Sequence, residues 1–240
     1  MTILEIHDVD SGYGEVQVLW GTTLSLTEGR LTSLVGGNGV GKTTLLRTIM
    51  GLMKPWRGEI HFEGQDVSKL PAHMKAEMGL VLVPEGRQLF SEMSVAENLE
   101  MGATPSRARQ NYQLNLSRVY ELFPRLHDRR EQKAGTLSGG EQQMLAVGRG
   151  IMSEPKVLMI DELSLGLAPV LMIQLFDTLR QLRSLGITLL LVEQNVQMAL
   201  AISDYAFVIS EGRIELEGSS RELARNEQVR HAYLGMAGEI

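Results

Sequence analysis

A glycine-rich loop between a strand-like run and a helical pattern constrains the fold of this chain more than any other feature. The loop reads Gly36-Gly37-Asn38-Gly39-Val40-Gly41-Lys42-Thr43, which fits the pattern G-x-x-x-x-G-K-[ST]. It follows the apolar run Leu31–Val35 and precedes a helical run that we predict to start at Thr44. A plain glycine-rich turn rarely has this whole pattern in this context, so the segment predicts a phosphate-binding loop in an α/β domain.

The residue types in the loop suit a nucleoside triphosphate. Glycines let backbone N–H groups surround a β-phosphate, and the N-terminus of the following helix adds a positive dipole. Lys42 would bridge the β- and γ-phosphates, and the Thr43 hydroxyl would bind Mg²⁺. We expect Thr44 to lie on the α-phosphate side. The loop therefore predicts a nucleotide site that also uses Mg²⁺.

Short apolar runs recur along the chain and predict a mostly parallel core sheet. Each run is followed by polar or glycine-rich residues and then by a helical pattern, as buried parallel strands are. The runs are Leu31–Val35, Leu80–Val83, Val157–Ile160 and Ile187–Val192. One helix is bounded clearly, with Pro169 in its first turn and Gly186 at its end.

Two other segments have hydrophobic patterns that differ from those of the core strands. The alternating stretches Leu24–Thr27 and Glu59–Phe62 predict an antiparallel β patch beside the main sheet. From about Ser91 to Met152 no strand-like run occurs, and apolar residues follow a helical period. We therefore predict one domain over residues 1–240, with a core formed by 1–90 and 153–240 and a helical subdomain over 91–152.

Composition excludes several classes of protein. The chain has 240 residues, of which 43% are hydrophobic and 22% charged, as in ordinary globular proteins. Its net charge is −6 and its basic residues are scattered, so nucleic acid is not an expected partner. It has no cysteine, which excludes disulfides and thiolate metal sites. The N-terminus lacks the pattern of a signal peptide, and no apolar run approaches the roughly 20 residues of a membrane span.

A second strand end carries acidic residues. The apolar run Val157–Ile160 is followed by Asp161 and Glu162, which is the Walker B form. Taken alone, such a strand usually just enters a solvated loop. Together with the phosphate loop, it predicts that Asp161 holds Mg²⁺ and that Glu162 polarises the attacking water.

The segment Leu137-Ser138-Gly139-Gly140-Glu141-Gln142-Gln143 resembles the signature motif of ABC ATPases. Ser138 and Glu141 have the spacing of a capping box, so we predict that Ser138 starts a helix whose free N–H groups can face an anion. A capped surface helix alone would not explain the two glycines. We interpret these as positions where an absent Cβ lets a phosphate approach.

The resemblance to ABC ATPases covers essentially the whole chain and implies further site residues. Tyr13 would stack on adenine, Glu85 would occupy the Q-loop position, and Gln194 the switch position. A D-loop is implied over Ser164-Leu165-Gly166-Leu167. In this family two cassettes pair head to tail around two ATP molecules. The resemblance thus implies that Ser138 and Gly140 act on the partner's ATP, while the other named residues act within their own chain.

Three positions depart from the common family pattern. Glu85 replaces a glutamine, Leu163 a proline and Gln194 a histidine. The strings around them resemble the ATP-binding subunits of branched-chain amino acid uptake transporters, and a urea and amide subgroup is similar. The resemblance implies a second ABC subunit, two transmembrane permeases and, indirectly, a solute-binding protein as partners. It also implies a peripheral location on the cytoplasmic face of the inner membrane.

Two other functions remain open from the sequence. An ABC ATPase that moves nucleic acid, ribosomes or an assembly scaffold would use the same nucleotide chemistry, but the acidic charge and the absence of heptads disfavour it. A phosphate-loop kinase would need an acceptor site and leaves the signature segment unexplained. Neither the transported solute nor the identity of the second cassette follows from these residues.

Overall fold

The computed structural model describes residues 1–164 and 166–233 of the chain. Within these residues the strands form two sheets. The strands are β1 (Thr2–Tyr13), β2 (Val16–Thr27), β3 (Leu31–Val35), β4 (Arg57–Phe62), β5 (Gln65–Asp66), β6 (Leu80–Val83), β7 (Val157–Asp161), β8 (Thr188–Glu193), β9 (Tyr205–Ser210) and β10 (Arg213–Ser219).

The described helices connect and cover these sheets. They are α1 (Lys42–Met50), α2 (Ala72–Met78), α3 (Val95–Gly102), α4 (Ser106–Gln110), α5 (Tyr112–Leu122), α6 (Pro124–Asp128), α7 (Gly139–Met152), α8 (Pro169–Ser184), α9 (Val196–Ile202), α10 (Ser220–Leu223) and α11 (Glu227–Tyr233). None of the described helices is both long and apolar enough to cross a bilayer.

The larger sheet has six strands in the order β10-β9-β3-β8-β7-β6, and all its pairs except β10 with β9 are parallel. Strands β3, β7 and β8 are buried along their whole length. Burial on both faces explains their continuous apolar runs. The predicted parallel core sheet is confirmed, with β8 shifted by one residue from the predicted Ile187–Val192.

The smaller sheet has four antiparallel strands in the order β2-β1-β4-β5. It packs against α1 through apolar side chains such as Leu4, Ile6 and Ile60, which are buried on one face. This confirms the predicted antiparallel patch. Strand β2 also brings Val18 beside the end of the phosphate loop, where it approaches Gly41.

Helices α3 to α7 fill the segment between β6 and β7. In this segment the described residues form no strand beyond an isolated bridge of Ser94 with Lys133. Arg107 at the start of α4 joins this segment to the core. Its guanidinium donates to the carbonyl oxygens of Ala76, Glu77, Ser153 and Glu154, at the C-terminal ends of α2 and α7.

Of two predicted helix starts, one is confirmed and one lies two residues earlier than predicted. Helix α1 begins at Lys42 and not at Thr44, because Gly41 takes a left-handed conformation (φ 110°) that lets the chain turn into the helix at once. Helix α8 begins at Pro169 as predicted. It ends one residue before Leu185, and Gly186 follows with φ 86°.

A buried lysine connects α2 to the C-terminus of α1. The Lys75 side chain is 1% exposed, and its Nζ donates to the carbonyl oxygen of Ile49 at 2.7 Å. That carbonyl belongs to the last turn of α1, where cations interact favourably with the helix dipole. Burial nevertheless lowers the pKa of Lys75 to about 8, and Asp66 opposes this shift.

The lowered pKa of Lys75 predicts a specific dependence of stability on pH. The folded-state pKa of about 8 lies below the ordinary value of 10.5. The buried charge of Lys75 therefore lowers the free energy of unfolding at neutral pH. This penalty falls as pH rises from about 8 toward 10.5, where the unfolded chain also loses the proton. We expect the free energy of unfolding of wild type, relative to Lys75→Met, to rise by about 2 kcal/mol between pH 7 and pH 9.5.

Urea denaturation of both chains at the two pH values measures this difference. Lys69→Met is the matched control, because Lys69 is exposed in the loop between β5 and α2, just before the helix that carries Lys75. A wild-type to Lys75→Met difference that stays constant with pH, like that of the control, would contradict the penalty for a buried charge.

Candidate active site

The phosphate loop is shaped by its close approach to the sheet. A Cβ on Gly36 would lie 2.3 Å from the carbonyl oxygen of Ile209 in β9, so only glycine fits there. Gly39 and Gly41 have positive φ angles of 76° and 110°. The Val40 carbonyl accepts a hydrogen bond from the Gly212 N–H at 2.9 Å. The loop is thus held by backbone contacts on the sheet side.

Lys42 is the first residue of α1, and its side chain folds back over the loop. Its Nζ donates to the carbonyl oxygens of Gly36 at 3.0 Å and Gly37 at 2.8 Å. A third contact, at 3.3 Å, is made with Glu162 Oε1, and the two charged side chains are 5% and 11% exposed. The ammonium therefore lies between the loop and the first acidic residue after β7.

Asp161 ends β7 as a nearly buried carboxylate. The Thr43 hydroxyl donates to its side chain, while Oδ1 is buried without a hydrogen-bond partner among the described atoms. Burial raises the pKa of Asp161 to about 6, against the Thr43 hydrogen bond. An unpaired carboxylate oxygen beside a threonine hydroxyl fits a hard cation such as Mg²⁺, which takes one or two protein ligands together with phosphate oxygens and water.

No group of three or more acidic, histidine or cysteine side chains among the described residues could hold a metal by itself. A cation at Asp161 and Thr43 would therefore take its remaining ligands from water or from phosphate oxygens. That arrangement is typical of Mg²⁺ bound with a nucleotide.

Glu162 follows in a conformation unusual for a residue with a side chain. Its φ is 50°, and its N–H donates to the Val192 carbonyl oxygen of β8 at 2.9 Å. Non-glycine residues with positive φ are uncommon and cluster at functional sites. The turn directs the Glu162 carboxylate toward Lys42 rather than along the strand.

A cleft of about 440 Å³ opens over the loop and collects most of the predicted residues. Its lining comprises Tyr13, Val18, Asn38, Gly39, Gly41, Lys42, Thr43, Thr44, Glu85, Glu162 and Gln194. Val18 was not among the predicted site residues, because nothing in its local sequence distinguishes it from other β2 residues. It reaches the loop because β2 packs beside Gly212, whose N–H donates to the Val40 carbonyl oxygen.

Tyr13 stands at the outer end of this cleft. Its hydroxyl accepts hydrogen bonds from Thr44 Oγ1 at 3.4 Å and Arg47 Nη1 at 3.3 Å, so the ring lies over the first turns of α1. The side chain is 45% exposed. An exposed ring beside the phosphate loop has the surface available for stacking on a base.

Glu85 borders this cleft and a second one of about 740 Å³, which has a partly apolar lining. The segment after Glu85 is strained, with positive φ at Gly86, Arg87 and Gln88. Arg87 attaches it to α7: its Nη1 donates to Gln142 Oε1 at 2.7 Å and its Nε to Gln143 Oε1 at 3.3 Å. The Q-loop position is therefore joined directly to the signature helix.

Gln194 is exposed at the end of β8, and the residue before it is buried. The Glu193 carboxylate accepts hydrogen bonds from the Ser164 N–H at 2.9 Å and from Ser164 Oγ at 2.8 Å. Burial raises the pKa of Glu193 to about 6, which these hydrogen bonds oppose. Ser164, the first residue of the predicted D-loop, is thus hydrogen-bonded to the last residue of β8, next to Gln194. Leu165 within the predicted D-loop lies outside the described residues.

Ser138 begins α7 with the predicted capping box. Its Oγ accepts from the Glu141 N–H, and Glu141 Oε2 accepts from the Ser138 N–H at 3.0 Å. Neither Ser138 nor Gly140 lines the two clefts that border the phosphate loop. A Cβ at position 140 would lie 2.3 Å from Leu171 Cδ1 of the same chain, so a larger residue there would have to displace the Leu171 side chain.

The residues predicted to act within one chain thus lie together, and those predicted to act on a partner lie apart. Gly36, Gly37 and Val40 form the sheet side of the loop, and Asp161 faces the larger cleft. This arrangement can bind a triphosphate and a divalent cation and can present a carboxylate to a water molecule.

Comparison with known proteins shows the family of the chain. Residues 19–164 match the family model described as ABC transporter. The branched-chain amino acid transport ATP-binding protein BraG of Pseudomonas aeruginosa is 45% identical, over 97% of this chain and 100% of that protein. The probable branched-chain amino acid transport ATP-binding protein LivF of Archaeoglobus fulgidus is 35% identical, over 98% and 99%. The lipopolysaccharide export ATP-binding protein LptB of Escherichia coli K12 is 29% identical, over 98% of each chain.

Solved structures give the same result. A nucleotide-free ATP-binding cassette from an ABC transporter superposes with a TM-score of 0.85 at 27% identity, covering 99% of this chain and 100% of that one. An ATP-binding cassette of an ABC transporter in its ADP conformation gives 0.83 at 28% identity, covering 98% and 100%. The sequence-predicted fold class is confirmed, and the chain belongs to the ABC transporter family as an ATP-binding cassette.

Proposed function

We propose that this chain hydrolyses MgATP at the cleft over its phosphate loop and thereby energises the uptake of branched-chain amino acids through a pair of permeases. As an ABC transporter cassette it binds and hydrolyses ATP. The observation that carries the assignment of the site is the convergence of Lys42, Asp161 and Glu162 at one edge of the sheet.

Each side chain has one part in the proposed reaction. The loop N–H groups and Lys42 hold the β- and γ-phosphates, and Tyr13 supports the base. Glu162 accepts a hydrogen bond from the attacking water and polarises it. Gln194 can donate one hydrogen bond to a γ-phosphate oxygen and accept another, and it carries no charge near neutral pH. Bound Mg²⁺, held by Thr43 and Asp161, would neutralise charge developing on the phosphate oxygens.

Hydrolysis also requires a second cassette in this proposal. Ser138 and Gly140 lie away from the nucleotide cleft of their own chain, so they would complete the site of a partner. A head-to-tail pair with twofold symmetry uses this surface twice. The helical segment 91–152 then acts as a subdomain that moves with the signature helix, and the partner is a second copy or a related subunit.

The larger cleft suits the permease in this proposal. It lies between α1, α2 and the Glu85 segment, with Leu52 exposed at its rim. A helix of a permease seated there would contact Glu85 and, through Arg87, the signature helix. The chain would then be peripheral on the cytoplasmic face of the inner membrane. The solute assignment rests on the 45% and 35% identical relatives, with urea and amides as the alternative class.

The catalytic role of Glu162 is tested by Glu162→Gln. The amide keeps the shape of the side chain but loses the carboxylate that polarises water. We expect MgATP binding to persist and turnover to fall by at least about 100-fold. Steady-state ATPase assays and nucleotide-binding titrations measure the two effects. Normal turnover in Glu162→Gln would show that another group polarises the water.

The trans role of Ser138 is tested by complementation. Ser138→Arg and Lys42→Ala chains should each be inactive alone, because each lesion damages both sites of a homodimer. In a mixed dimer both lesions fall in one site and the other stays whole, so hydrolysis should return. The exposed Ser117→Arg serves as a charge-matched control that stays active. Mixed dimers that form and remain inactive would contradict action in trans.

The solute class is tested by uptake in cells that carry Glu162→Gln in place of the wild-type chain. We expect accumulation of labelled leucine, isoleucine and valine to fall to the level of cells without the chain, since the permeases would lack ATP hydrolysis. Urea uptake is the control and should not change. Retained leucine uptake together with lost urea uptake would transfer the assignment to the urea and amide class.

A further inference from the structure

The signature helix begins with a buried negative charge beside the residue proposed to bind a phosphate. Glu141 is 5% exposed, and its Oε2 accepts hydrogen bonds from the Ser138 N–H at 3.0 Å and from Ser138 Oγ at 2.7 Å. Burial raises the pKa of Glu141, but the Ser138 hydrogen bonds and the charges of Arg129 and, to a smaller extent, Arg125 outweigh this, and the pKa is lowered overall. The carboxylate is therefore ionised at neutral pH.

An ionised carboxylate at this point conflicts with the proposed role of Ser138. The γ-phosphate of a partner's ATP would have to accept the single hydroxyl hydrogen bond that Ser138 Oγ now donates to Glu141 Oε2, and it would then lie only a few ångströms from that carboxylate. Two negative groups this close repel each other strongly when they are partly buried. The conflict is specific to a carboxylate, because the amide oxygen of a glutamine at position 141 could accept the two Ser138 hydrogen bonds without a charge.

The neighbouring arginine resolves this conflict. Arg129, which follows α6, places Nε 2.9 Å from Glu141 Oε1, the carboxylate oxygen that Ser138 does not use. A second guanidinium nitrogen, Nη1, donates to Gln132 Oε1 at 3.0 Å and fixes the orientation of the group. The two carboxylate oxygens of Glu141 thus divide between the serine and the arginine.

We propose that Arg129 is a positioning residue for ATP hydrolysis: it neutralises Glu141, so that Ser138 can bind the γ-phosphate of ATP held by a second copy of the chain. This inference rests on the proposed trans role of Ser138. It extends that role by making the charge of the signature helix depend on a residue outside the motif. Arg129 acts through Glu141 and does not itself touch the nucleotide.

A double-mutant cycle tests this role by measuring turnover against ATP concentration. Arg129→Gln in the wild-type background should raise the half-saturating ATP concentration or lower turnover by about 5- to 50-fold, because Glu141 is left charged. Arg129→Lys should retain most activity. When Glu141→Gln is already present, adding Arg129→Gln should change activity by less than about twofold.

Arg130→Gln is the matched control. It removes the same charge from the next residue, whose Nε contacts Glu131 Oε1 at 3.5 Å on the exposed surface. We expect this variant to behave as wild type. Binding of a fluorescent ATP analogue to dilute, monomeric Arg129→Gln should equal that of wild type, because the cis site is unchanged. If Arg129→Gln folds poorly, Arg129→Lys and the double variant still decide the question.

Three outcomes would overturn the inference. Arg129→Gln could lose the same factor with Glu141 or Gln at position 141, which would assign Arg129 a role independent of the carboxylate. Glu141→Gln alone could abolish hydrolysis, which would make the charge a requirement rather than a liability. Arg130→Gln could match Arg129→Gln, which would indicate a general surface charge effect. Failure of the Ser138 complementation test would instead remove the trans site itself.

Discussion

The site depends on the hydrogen-bond register of three adjacent parallel strands. Val35 of β3 lies opposite Glu193 of β8, and Val192 of β8 lies opposite Asp161 of β7. The strands therefore end level with one another, and the phosphate loop, the acidic pair and Gln194 leave the sheet at the same edge. Because side chains alternate along a strand, a slip of one residue would turn Asp161 to the opposite face.

Acidic groups outnumber cations where these strands end. Glu85, Asp161 and Glu162 lie around Lys42, whose ammonium contacts Glu162 directly, and Glu193 lies beside Glu162. Burial raises the pKa values of Asp161 and Glu193, so a nearby cation would stabilise the ionised form of both carboxyls. At the proposed site, this excess of negative charge would favour a nucleotide that arrives with a divalent cation over a bare triphosphate.

The parts of the molecule that could be predicted from the sequence are those determined locally or by burial on both faces. The apolar runs predicted β3, β6 and β7 because strands buried on both sides need apolar residues throughout. Ser138 and Glu141 predicted their helix start because a capping box is a local interaction. Val18 and the contact of Glu193 with Ser164 could not be predicted. Each depends on two segments that meet only in the folded chain.

Arg107 illustrates a different kind of dependence. Among the described residues, its guanidinium donates hydrogen bonds to backbone carbonyl oxygens alone, at the ends of α2 and α7. Every amino acid supplies such an oxygen, so these four hydrogen bonds do not restrict which side chains occupy the partner positions. Substitutions there can accumulate without disturbing the junction, whereas the arginine itself has no substitute with the same fork of donors. During divergence, this junction therefore constrains the codon of Arg107 far more than the codons of its four partner positions.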